Sequence, residues 1–185
     1  VAFEKQTFTG DVSFPTLAPD GKLFAYVRGE SLFVQEIGGE KATRINASDI
    51  KTFGFLQFSP DGGALCFRNQ KNFSLAGNIF QVSRFGGAAR LLAENVWSGF
   101  SFSPDGKKLA FLRFLPALQE YVLIVKNLET GEEKPLLRRK LPEEFLSGAY
   151  PAFSPDQTRI AVVFRNSKAP IWQIALVDTA SGKFE

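Results

Sequence analysis

The 185-residue chain has the length of one domain with room for a substantial core, and its 44% hydrophobic and 22% charged composition excludes wholesale disorder. The net charge of +3 arises from interspersed Lys, Arg, Asp and Glu. The densest basic run, Arg138-Arg139-Lys140, is followed at once by Glu143-Glu144, so no clustered basic face speaks for nucleic acid. With no histidine, Ser-His-Asp and Cys-His catalysis and His-containing zinc or haem sites are excluded within these residues.

The single cysteine excludes an internal disulfide, and no apolar run approaches the ~20 residues that would cross a bilayer as a helix, so membrane insertion is not expected. The opening lacks the basic start and apolar core of a signal peptide. Since the chain has no Met anywhere, a processed product or a segment of a longer protein is expected. The stretch "FEKQTFT" within residues 1–10 reads as an outer strand of the last or of a preceding structural unit.

From there the sequence repeats. "APDG", "SPDG", "SPDG" and "SPDQ" place Asp20, Asp61, Asp105 and Asp156 at spacings of 41, 44 and 51 residues. Glycines 39, 87, 131 and 182 follow at 19, 26, 26 and 26 residues after them. Two synchronised markers with apolar segments between them indicate a repeat array. Before each Asp comes an alternating segment such as "GFLQFS" or "YPAFS". After it comes an apolar strand carrying Phe24-Ala25-Tyr26, Leu65-Cys66-Phe67, Leu109-Ala110-Phe111 or Ile160-Ala161-Val162. Third strands read "SLFVQEI", "NIFQVSRF", "YVLIVKNL" and "PIWQIALVD"; fourth strands read "KATRIN", "AARLLA", "EEKPLL" and a short "KFE". Strand, turn, strand, loop, strand, turn, strand is the blade of a β-propeller. The expected fold is therefore all-β, with four four-stranded antiparallel blades over about 11–48, 53–94, 97–139 and 148–185.

In Ser-Pro-Asp-Gly, proline supplies the φ of a type I turn and glycine (Gly21, Gly62, Gly106) takes the left-handed position that closes a three-residue hairpin. Gln157 breaks this pattern, so the fourth turn is expected to be strained or of another type. Each turn offers one acid, whereas a calcium loop needs several within about twelve residues. The four aspartates are therefore structural, and no metal, cofactor or catalytic residue is assigned.

The motif resembles the TolB-like β-propeller repeat, most fully as "YPAFSPDQTRIAVV…IWQIAL" and again as "FSFSPDGKKLAFLR" and "FPTLAPDGKLFAYV…SLFVQEI". Neither the Trp-Asp nor the Gly-His pair of WD-type propellers is present. The resemblance implies a non-catalytic scaffold for protein–protein or interdomain contact, of the kind found in TolB and in propeller regions of bacterial kinases, regulators and prolyl-oligopeptidase-like peptidases. It also points to a periplasmic or extracytoplasmic setting. Two alternatives stand beside it: the accessory propeller of a larger hydrolase, and a sensor for a small anionic ligand at the channel mouth. Because the family usually has six or more blades, the chain is expected to be a segment of a larger propeller whose open blade faces self-associate; a four-bladed ring is the alternative.

Three further readings concern sites. An arginine stands near the end of each second strand (Arg28, Arg68, Arg113 and Arg165), a candidate anion-binding rim or else solvated charges paired with local acids. Trp97, which opens the third blade, is a candidate exposed anchor. "RRKLPEEFLSGAY" has the start and stop signals of a short helix at Pro142–Gly148, with Phe145 and Leu146 as candidate contacts or as packing residues. Cys66, aligned with three alanines, reads as a small core residue.

Overall fold

The computed structural model describes residues 5–7, 10–47, 50–69, 76–166 and 169–184. Every regular element is a strand, apart from a 3₁₀ turn at Pro116–Leu118. β1 (Val12–Leu17), β2 (Leu23–Arg28), β3 (Ser31–Glu36) and β4 (Ala42–Ile45) form the first sheet in that order. β5 (Gly54–Phe58), β6 (Ala64–Asn69), β7 (Gly77–Ser83) and β8 (Arg90–Val96) form the second. β9 (Phe100–Phe102), β10 (Lys108–Leu115), β11 (Glu120–Asn127) and β12 (Glu133–Lys140) form the third.

The fourth sheet departs from that order. β13 (Glu143–Phe145) and β14 (Ala152–Phe153) lie end to end along one edge of β15 (Arg159–Asn166), and β16 (Ala169–Asp178) pairs with the other. The expected helix at 142–148 is thus a strand. β14 covers only Ile160 and Ala161 of the eight-residue β15, which leaves edge amides and carbonyls open near Phe164 to Asn166. Glu143, Glu144 and Phe145 pair with those three residues, and main-chain bonding to a waiting edge outweighs short-helix signals. The expected fourth strand "KFE" amounts to one bridge, Val177 to Phe184, with Phe184 packed edge-on against Phe164.

The turns follow from the repeat. At each one the residue after Asp has positive φ (Gly21 69°, Gly62 70°, Gly106 71°, Gln157 62°), and its N–H bonds to the carbonyl three residues earlier. The fourth turn keeps the geometry of the others with glutamine in a left-handed conformation, a cost of about 1 kcal/mol. The second marker also recurs as positive φ at Gly87, Gly131 and Gly182, but in the first sheet Gly38 rather than Gly39 takes that conformation.

The chain divides into two compact units, residues 1–70 with 79–92 and residues 71–78 with 93–185. In the first, Ala25, Val27, Leu32 and Val34 of the first sheet share a core with Leu65 and Phe67 of β6. In the second, Ala110, Leu112 and Leu123 share a core with Ile160, Val162, Ala175 and Val177. Both cores obey one rule. Within each unit, residues five and seven after the first turn Asp (Ala25 and Val27, Ala110 and Leu112) share the core with residues four and six after the second (Leu65 and Phe67, Ile160 and Val162), as the two-residue strand period allows.

Residues 5–7 form no strand. The Gln35 amide donates to the Gln6 carbonyl at 3.2 Å, and the Gly38 N–H donates to the Gln6 side-chain oxygen at 2.8 Å, so the segment lies against the first sheet. The remainder of the expected outer strand falls on residues 1–4 and 8–9, outside the described residues.

Candidate functional site

The repeated aspartates are tied inward. In three turns one carboxylate oxygen accepts from the serine hydroxyl two residues earlier (Ser59, Ser103, Ser154), and in all four it accepts from the N–H two residues later. The Ser103 hydroxyl and the Lys107 N–H hold the Asp105 carboxyl down to about 2. The Ser154 hydroxyl, with the Thr158 N–H and hydroxyl, does the same to Asp156. Ser59 and the Gly63 N–H lower Asp61 as well. Hydrogen bonds to the charged form produce these shifts, and they leave the carboxylates poor candidates for acid–base chemistry. Gln157 reaches back to the Asp105 carboxylate of the preceding turn, so the residue that breaks the motif links two turns.

The four arginines do not share one environment. Arg68 is fully buried, with its guanidinium 4.7 Å above the ring of Phe55, and so offers no fork to solvent. A bulge places Phe55 there at φ 52°, a strained conformation that the sequence does not announce. Arg113 bonds Glu133 at 3.0 Å and the Glu94 carbonyl at 2.8 Å. Burial works against the Glu133 charge, but Arg113 and Lys126 outweigh it and hold the carboxyl below its ordinary value. Arg165 bonds Glu144 at 2.7 Å and lies 4.5 Å over the Trp172 ring. Arg28 lies 4.4 Å over Phe33 and lines a cavity of about 690 Å³, with no ion pair to an acid among the described residues. The candidate anion-binding rim of four is therefore corrected: Arg68 is buried, Arg113 and Arg165 take the alternative of pairing with local acids, and Arg28 makes no such pair among the described residues.

The candidate contact residues also separate. Phe145 is buried in the core, edge-on to Tyr121, because β13 pairing turns it inward; of its two expected roles it takes packing, and the candidate contact role is corrected. Leu146 is half-buried, and its N–H bonds to the Val163 carbonyl. Trp97 packs against Phe114 and Tyr121, and its indole N–H is buried with no hydrogen-bond partner among the described residues, so it is held inward and not presented. Cys66 is fully buried, and desolvation pushes its thiol well above the ordinary range.

The open face expected on the fourth blade is present, on the outer side of the fourth sheet. By the parity rule Ala161 and Val163 point away from the core, and they pair with Leu176 and Ile174. Ile174 is 74% exposed and Trp172 37%; Ile171, on the same strand, is 69% exposed. The alternation of "PIWQIALVD" alone does not say which of its side chains that face presents.

No protein-family model matches the chain, and no curated protein matches it significantly. Solved structures do. The putative TolB from Agrobacterium tumefaciens superposes with a TM-score of 0.75 at 21% identity, over 94% of this chain and 60% of that one. TolB from Acinetobacter baumannii gives 0.69 at 22% identity, over 94% of this chain and 42% of that one. The β-propeller domain of the Trilobed protease from Pyrococcus furiosus, described as having an open velcro topology, gives 0.62 at 16% identity over 94% and 56%. The chain thus spans about half the length of the structures it matches. Four four-stranded antiparallel sheets built on a Pro-Asp turn, together with these superpositions, make the fold that of a TolB-like β-propeller.

Proposed function

We propose that the chain is a non-catalytic propeller module that binds another protein or a neighbouring domain through the outer face of its fourth sheet. The observation that carries this reading is the apolar side chains of β16 left in water where the equivalent faces of the first and third sheets are covered. Fully burying one such isoleucine is worth about 1.5–3 kcal/mol, so several together favour a partner. The Arg165–Glu144 pair beside them adds a polar edge of the kind that fixes orientation. The inward-tied aspartates and the inert Cys66 support the absence of chemistry in this module.

Likeness to a protease propeller favours a second reading, in which the same face meets the catalytic domain of a larger hydrolase. A photo-crosslinking residue placed at Ile174, compared with one at exposed Lys41, tests both. A discrete polypeptide adduct from position 174 alone is expected, and its sequence separates a scaffold partner from a hydrolase domain. Equal, diffuse labelling from both positions would remove the proposal.

A further inference from the structure

Three of the repeat's arginines lie over an aromatic ring with an acid or an empty space alongside, and the difference among them is informative. Arg113 lies 5.5 Å from the Phe111 ring and is closed by Glu133. Arg165 lies 4.5 Å over Trp172 and is closed by Glu144. Arg28 stands eight residues after its turn Asp, as Arg113 does, and on the same side of its strand by the two-residue period. It is stacked equally closely, 4.4 Å over Phe33, yet no carboxylate among the described residues bonds to it. Glu40 lines the same cavity without making that contact.

In place of the acid stands the cavity of about 690 Å³, the size of a small-molecule site. Its walls are already organised. The Tyr26 hydroxyl donates to the Gln35 side-chain oxygen at 3.4 Å, and the Gln35 amide donates to the Gly39 carbonyl at 2.6 Å and to the Gln6 carbonyl. Those bonds hold Gln6 and Gly39, both in the cavity lining, to Gln35, while Thr7 adds a hydroxyl. A guanidinium held flat on a ring keeps its N–H edge free for bidentate bonding to a planar carboxylate. The surrounding amides, hydroxyls and main-chain groups suit a body that carries hydroxyls.

We infer that this cavity in the first sheet binds a small organic carboxylate, a hydroxy acid, with Arg28 supplying the fork that Glu133 and Glu144 occupy elsewhere. The site is distinct from the apolar face of the fourth sheet and does not depend on it.

The test is a titration of the purified chain with gluconate and with citrate at constant ionic strength, following amide resonances of Gly38 and Gly39. Sorbitol serves as the neutral control and sodium chloride as the ionic one. Saturable shifts at Gly38 and Gly39 are expected with the acids and not with sorbitol or chloride. Arg28→Gln should weaken binding at least tenfold. Arg28→Lys should recover only part of it, because a point charge replaces a fork. Arg159→Gln, at an exposed position outside the cavity, should leave binding unchanged and serves as the folding control. Shifts that chloride reproduces, or that survive undiminished in Arg28→Gln, would overturn the assignment, as would no shift with either acid.

Discussion

In the third sheet, β11 pairs with all eight residues of β10 and β12 runs along the far edge of β11. In the fourth, β15 has the same length but receives two short pieces on one edge, and β16 on the other meets only the Phe184 bridge beyond it. Both sheets start from the same Ser-Pro-Asp hairpin with the same hydrogen bonds. Hairpin chemistry therefore establishes the second and third strands of a blade and is silent on its margins. The margins depend on what lies across from them: Phe111 and Leu123 are sealed on both faces, whereas Ile174 looks outward.

Substitution should separate the two sheets most strongly at their apolar centres. Phe111→Ala, at a position with no exposure, should cost about 3–5 kcal/mol in urea unfolding. Ile174→Ala should stay within about 0.5 kcal/mol. A cost above about 2 kcal/mol at Ile174 would show that its face is covered in solution, and the contrast between the sheets would collapse.

The turns offer a finer comparison. Gly106→Gln should destabilise by about 1 kcal/mol, since a side chain is forced to φ 71°. The reverse change, Gln157→Gly, should move stability by less than about 0.5 kcal/mol. Relief of left-handed strain is offset there by the greater freedom of glycine in the unfolded chain and by loss of the bond to Asp105. Equal and opposite effects in the same unfolding assay would mean that the link between the turns contributes nothing.

The smallest effect is in acid. Asp105 and Asp156 have folded-state values near 2, below the ~3.9 of an unfolded aspartate. The charged form is thus favoured by folding. Its contribution is complete above pH ~4 and is lost as pH falls through about 2. Thermal unfolding between pH 5 and 2 should show a downward step that shrinks when both residues become Asn. A step of unchanged size would place the acid sensitivity elsewhere.

Much of this was legible in the residues. Asp-to-Asp spacing and two-residue alternation located most of the strands, because a tight turn and a pleated strand are local objects with local sequence rules. For the same reason the sequence left two outcomes for the turn at Gln157, strain or another type, and the positive φ is the first of them. The split inner strand was not: "PEEF" carries honest helix signals, and only a vacant edge on β15 recruits it. The arginines show the limit most clearly. Four similar offsets gave three fates, since burial over Phe55, pairing with Glu133 or Glu144, and exposure to a cavity are set by residues outside the strand itself.

The chain's own sequence determined the repeat, the turns and the strand faces, because those depend on φ, ψ and neighbours within a few residues. Tertiary structure alone decided which side chains the uncovered face presents and which guanidiniums are closed by an acid. Burial and ion pairing are properties of juxtaposition, and no window of sequence contains the partner that is absent.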